Sequence, residues 1–212
     1  MAYAIGSGGC MLGIVWRKLC SIRRRLKIAH YNDFTIAEHF RSLGARIGND
    51  NRLLIRSLGT EPYLIKIGNH CTISVGVVLL THDGGTWVFT DEISSLQSFG
   101  TIEIGDNCFI GANAILLPGV KVGSNSIVGT GAVVTKDVPP SVVVAGCPAR
   151  IICSIEEYKQ KVLAIWKIQK PKGYMNSLKP GHRYSPAEIE ARKLVDAYML
   201  REHLIKKLWP QE

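Results

Sequence analysis

From Ile104 onward an aliphatic side chain returns at every sixth position: Ile104, Ile110, Leu116, Val122, Val128 and Val134. A helix repeats its apolar face every 3.6 residues and a half-buried strand every two, so neither element produces this period. Glycine follows the aliphatic at Gly105, Gly111, Gly123 and Gly129, and the fifth place of each hexad is small or β-branched (Cys108, Ala114, Val120, Ser126, Ala132, Val138). Each hexad therefore predicts one short strand and one tight corner. The aliphatic points inward and stacks on its counterpart one coil away, at the ~4.8 Å spacing of paired strands. Glycine suits the unusual backbone angles of a corner, where a Cβ would clash. Three hexads close a triangular coil, and several coils must stack before such a repeat buries a core.

The same register appears upstream at Ile67, Ile73 and Leu79, and again at Ile47 and Leu53, but out of phase with the later run. Ile67 and Ile104 lie 37 positions apart, one more than a multiple of six, which predicts an inserted loop at about 83–101. A second break falls between Arg56 and Ile65. Loops extruded from a rigid scaffold are favoured places for binding and catalysis.

Beyond the array the pattern turns helical. Ser154 with Glu157 has capping-box spacing, and Ser185-Pro186-Ala187-Glu188 combines an N-cap, Pro at the first helical position and Glu at the third. The chain thus divides into a helical, basic N-terminal segment (1–43), a β-solenoid (44–153) and a helical C-terminal extension (154–212). The C-terminal helices are expected to cap the solenoid's open end, whose unpaired edge would otherwise invite aggregation.

Composition changes this picture little. With 212 residues, 46% apolar content and only 8% aromatics beside 21 glycines, one tightly turned body with appendages is expected. The formal net charge of +9 suggests an anionic partner. Arg17, Lys18, Arg23, Arg24, Arg25 and Lys27 crowd into one stretch, yet no zinc-finger spacing, RNP-type aromatic motif or recognition helix accompanies them, which argues against nucleic acid. Six cysteines form no CxxC pair and read as free thiols of a cytoplasmic protein. Ile5 to Trp16 is too short to span a bilayer, which takes about 20 residues. A packed N-terminal helix is the preferred reading, with peripheral contact of residues 5–27 with an anionic membrane as the alternative.

The hexad array, followed by Val134-Thr135-Lys136-Asp137-Val138-Pro139-Pro140 and Ala145-Gly146-Cys147-Pro148-Ala149-Arg150, closely resembles the hexapeptide-repeat acetyltransferases over roughly residues 44–153. Within that family the likeness is nearest to the galactoside, xenobiotic and capsular-polysaccharide O-acetyltransferase branch. Glu61-Pro62-Tyr63-Leu64-Ile65-Lys66-Ile67-Gly68 and Thr81-His82-Asp83-Gly84-Gly85-Thr86-Trp87 look most like the capsular members. The resemblance implies a mainly β fold, a left-handed parallel β-helix, assembled as a homotrimer with active sites between subunits.

It also implies acetyl-CoA as co-substrate and His82 as the general base, since a sugar hydroxyl must lose its proton as it attacks a thioester. Ala112 matches the backbone donor to the thioester oxygen. The pantetheine arm would pass Ala112 and Thr130, with Thr135, Lys136 and Arg150 near the nucleotide end. Asp83 and Trp87 are candidates for the acceptor side, where a carboxylate orients a hydroxyl or the imidazole and an indole stacks on a sugar face. Glu61 and Tyr63, at the other phase break, are further candidates, with a structural turn at Glu61-Pro62 as the competing reading. A zinc site of the kind known on this fold would need three histidines, and only His70 and His82 lie within the coils, so no metal is expected.

The expected function is O-acetylation of a saccharide hydroxyl, in surface or capsular polysaccharide biosynthesis. Xenobiotic or antibiotic O-acetylation, N-acetylation of a nucleotide-linked sugar, and a catalytically silent solenoid scaffold are the competing readings.

Overall fold

A computed structural model describes residues 28–174 and 184–208 of the chain. The basic cluster and the membrane-contact stretch 5–27 lie outside the described residues. Thirteen short strands, β1 (Arg46–Ile47) to β13 (Arg150–Ser154), form three sheets. Face A holds β1, β3 (Ile65–Ile67), β6 (Ile102–Ile104) and β9 (Lys121–Val122). Face B holds β2 (Arg52–Leu53), β4 (Thr72–Ile73), β7 (Phe109–Ile110), β10 (Ile127–Val128), β12 (Val142–Ala145) and β13. Face C holds β5 (Val78–Leu79), β8 (Ile115–Leu116) and β11 (Val133–Val134).

From β3 to β11 successive strands belong to successive faces, so the chain winds round a triangular prism, as the period of six predicts. Ile104 pairs with Val122, Ile110 with Val128 and Leu116 with Val134 in parallel register. These inward aliphatics stack in a column and are almost wholly buried, from Leu53 and Ile73 to Leu116 and Val134.

Glycine's role differs from the expected one. Gly105, Gly111, Gly123 and Gly129 are not the residues with positive φ. A Cβ on Gly111 would lie 2.6 Å from Thr130 N and 2.8 Å from Val128 O, so the constraint is the backbone of the next coil passing close by. The left-handed angles fall further along, at His70, Asn107 and Asn125 on the edge between faces A and B and at Gly76, Asn113 and Gly131 on the edge between B and C. The A/B edge is further held by ladders. Asn107 Nδ2 donates to Asn125 Oδ1, and inside the prism Cys71, Cys108 and Ser126 each donate to a carbonyl one coil on, of Gly105, Gly123 and Pro139.

The ends are closed differently from expectation. Helix α1 (Ile36–Ser42) buries Ile36, Ala37 and Phe40 against the first coil, and Leu53 N donates to Asp33 O. At the far end β13 turns back antiparallel on β12, and from it Ser154 caps α2 (Ile155–Gln169) with a complete capping box. Helix α2 buries no residue. Helix α3 (Pro186–Val195) reaches the first coil instead, where Glu190 pairs with Arg52 at 3.2 Å; α4 (Ala197–Leu208) follows. None of the helices among the described residues is long and apolar enough to cross a membrane.

Candidate active site

The coils are interrupted on one edge, between faces C and A. After β5 the chain leaves the prism at Thr81 and returns at Gly100, whose N–H donates to Thr81 O. The base of the insertion is zipped by Asp83 N donating to Ser98 O and by an antiparallel bridge between His82 and Phe99. The Phe99 ring stands edge-on to the imidazole, centroids 6.4 Å apart.

One coil earlier, on the same edge, the first coil is also irregular. Arg46–Ile47 pair with Lys66–Ile67 and Arg52–Leu53 with Thr72–Ile73, a stagger of 20 residues (as between Glu61 and Thr81) against 18 in the regular coils. The extra length forms a turn that ends at Glu61, ahead of a 3-10 segment over Pro62–Leu64. Glu61 thereby stacks beneath Thr81 and His82.

His82 Nδ1 lies 3.0 Å from Glu61 Oε2, and the buried Thr81 hydroxyl donates to the same oxygen at 2.6 Å. Hydrogen bonds from Thr60, Thr81 and His82 hold the Glu61 carboxyl well below the usual range, at about 2. An ionised carboxylate only accepts, so Nδ1 carries the proton and Nε2 of the neutral ring is left with its lone pair. The imidazole is 46% exposed while Glu61 is 13% exposed, so the ring stays open to a substrate and its partner is shielded.

The other candidate residues divide between two edges. Thr135 and Lys136 are exposed on the same C/A edge as His82, two coils further on. Ala112 and Thr130 lie on the B/C edge, with Arg150 beside them, where Ala149 N donates to Val133 O and Gly129 packs on Ala145. Among the described residues the N–H groups of Ala112 and Thr130, one in each of two successive coils on that edge, have no hydrogen-bond partner. From Ala112 on the B/C edge to Gly119 on the edge of His82 the chain crosses face C, on the order of 20 Å at ~3.3 Å per residue of extended chain.

Asp83 and Trp87 are not brought against the imidazole. The Asp83 carboxylate accepts from Gly85 N at 2.8 Å and caps the 3-10 segment Gly84–Phe89, and Trp87, on that segment, is 78% exposed. Tyr63 is exposed beside Gly44. Sequence reasoning missed Thr81 and Phe99 and set Glu61 on the acceptor side rather than against the imidazole. The signal was present: Glu61 and Thr81 are separated by the same 20 residues that part the paired strands of the first two coils.

The prism thus carries a paired histidine and carboxylate on its C/A edge and open backbone amides on its B/C edge, two groups of the kind that acyl transfer uses. Residues 101–136 match the family model described as the hexapeptide repeat of succinyl-transferase. The chain is 51% identical over 129 residues to Protein CapG of Staphylococcus aureus, covering 59% of this chain and 75% of that one. It is 37% identical over 97 residues to the galactoside O-acetyltransferase of Escherichia coli, covering 46% of this chain and 47% of that one. A crystal structure of a hexapeptide-repeat-containing acetyltransferase from Vibrio cholerae superposes with a TM-score of 0.52 at 24% identity, over 63% of this chain and 87% of that one. The chain belongs to the hexapeptide-repeat acetyltransferases, which take acetyl-CoA as donor, and its prism is their left-handed parallel β-helix.

Proposed function

We propose that this acetyltransferase moves an acetyl group from acetyl-CoA to a saccharide hydroxyl, by direct attack in a ternary complex and in the service of surface or capsular polysaccharide synthesis. The observation that carries the mechanism is the His82–Glu61 pair with its Thr81 support. His82 Nε2 takes the acceptor's hydroxyl proton as that oxygen bonds to the thioester carbon. The carbon–sulfur bond then breaks, and the departing thiolate takes the proton back from the imidazolium. Glu61 holds the ring in the required tautomer and balances its transient positive charge.

The partnerless N–H of Ala112 suits the negative charge that develops on the thioester oxygen. Thr130 continues that column along the pantetheine arm, and Thr135, Lys136 and Arg150 suit the nucleotide and its phosphates. Ala112 and His82 of one chain are too far apart to address one carbonyl, which supports a site completed by a neighbouring copy in a homotrimer. The saccharide class is supported by likeness to the galactoside enzyme. Asp83, Trp87 and Tyr63 are kept for outer contacts with a longer acceptor. Unpaired thiols at Cys71, Cys108, Cys147 and Cys153 support a cytoplasmic setting.

The test is thiol release from acetyl-CoA across sugars, amino sugars and xenobiotic alcohols. A saccharide should stimulate release well above hydrolysis, and His82→Ala should lower acceptor-dependent turnover about 10²-fold or more with melting unchanged. Turnover that survives His82→Ala would remove this mechanism, and stimulation only by xenobiotics would remove the saccharide assignment.

A further inference from the structure

On the side of His82 facing the first coil, away from Ala112, Thr130 and Arg150, the prism is open. The first coil has no third strand among the described residues; its chain swings outward at Gly59, where φ is +81°, and Leu58 turns into the core. The result is a groove of about 270 Å³ running from Ser57 to His82, lined by Ser57, Leu58, Gly59 and Thr60 on one wall and Val77 to Thr81 on the other.

The lining chemistry is selective. Among the described residues no Lys, Arg, Asp or Glu side chain lines the groove, and its walls are aliphatic with a few hydroxyls. The adjacent cation, Arg56, points elsewhere, its guanidinium paired with Asp33 Oδ1 at 2.9 Å. At the His82 end stands the Glu61 carboxylate, which repels anions. At about 270 Å³ the groove lies just under the roughly 300–1,000 Å³ of drug-sized ligand pockets, and one sugar ring fits it.

We propose that this groove is the acceptor subsite and takes a single uncharged sugar ring, its apolar face on Val78 and Leu80 and its hydroxyl directed to His82. The inference rests on the saccharide reading above and narrows it to neutral acceptors. Ser57 guards the outer mouth: its hydroxyl accepts only a local bond from Gly59 N, at 3.2 Å. It makes no contact with the His82–Glu61 pair.

The probes are three matched sugars: methyl β-galactopyranoside, its uronate and galactose 1-phosphate. They are measured on the full chain with coenzyme A by ligand-observed NMR and with acetyl-CoA by turnover. The neutral glycoside should bind and react best. Ser57→Phe, which fills that end of the groove, should raise its KM about tenfold or more while the thermal unfolding temperature stays at the wild-type value. Ser57→Lys should shift preference toward the uronate by about tenfold. A wild-type preference for the charged sugars, or a glycoside KM untouched by Ser57→Phe, overturns the neutral subsite and leaves saccharide acetylation standing. No saccharide binding or turnover at all, with xenobiotic turnover intact, overturns both.

Discussion

Glu61 has three donors for one carboxylate, and its ordering of His82 depends on that. Its pKa is depressed from 4.5 to about 2 by hydrogen bonds from Thr60, Thr81 and His82. A carboxyl lowered on folding contributes stability above its unfolded value and loses it as pH falls from about 4.5 through about 2. It therefore stays ionised wherever an imidazole titrates and is the constant member of the pair. Glu61→Gln retains an acceptor for Nδ1–H but removes the charge opposite the imidazolium. We expect kcat/KM to fall on the order of tenfold, less than for His82→Ala. An unchanged kcat/KM would make Glu61 a turn residue. The stability difference between wild type and variant should also shrink in acid unfolding as pH drops through that window.

At the scale of the coil, two kinds of glycine carry different costs. Gly111→Ala drives a Cβ to 2.6 Å from Thr130 N and 2.8 Å from Gly129 C, all backbone that cannot move without parting two coils. A loss of about 2–3 kcal/mol is expected. Gly131→Ala meets nothing within 4 Å but must hold φ +69°, a cost of about 1 kcal/mol. Asparagine takes that conformation at Asn113, one coil earlier, so Gly131→Asn should be milder still. Thermal unfolding ranks the three, at roughly 2–4 °C per kcal/mol. The same distinction measures what was legible in the sequence. Stacked aliphatics must repeat at a fixed step, so Ile104 to Val134 announced the prism, and the slip from Ile67 to Ile104 announced the insertion. Nothing in a period says whether glycine answers to its own angles or to a neighbour's backbone. Nor does it say that Ile151 and Cys153 turn back on β12, because one antiparallel strand closing a parallel edge has no partner pattern of its own. Glu61 against His82 was legible only by adding the first coil's two extra residues to the stagger.

For the whole molecule, the separation of the two edges makes assembly a matter of catalysis. One face, on the order of 20 Å wide, separates His82 from the open amides of Ala112 and Thr130, so under the proposed mechanism one chain would present half of each of two sites. The surface is also unfinished for a lone chain: Val75 and Phe109 on the prism, Trp87, Phe89 and Ile93 on the insertion, Ile151 and Ile152 on β13, and Val162 and Ile165 on α2 are all exposed. Apolar exposure on this scale marks association surfaces. Cyclic assembly of three copies would set the His82 edge of one chain against the Ala112 edge of the next, each interface carrying one site. Complementation separates this arrangement from a self-sufficient chain. His82→Ala lacks the base, and Thr130→Trp obstructs the amide column. Each homogeneous assembly should be inactive. Refolded together in equal amounts, the two should regain about a quarter of wild-type activity, since a site works only where an intact histidine edge meets an intact amide edge, each drawn with even odds. Recovery must depend on mixing before folding and be absent when finished trimers are combined. If both groups acted within one chain, no mixture would recover, because every chain would carry one fatal substitution.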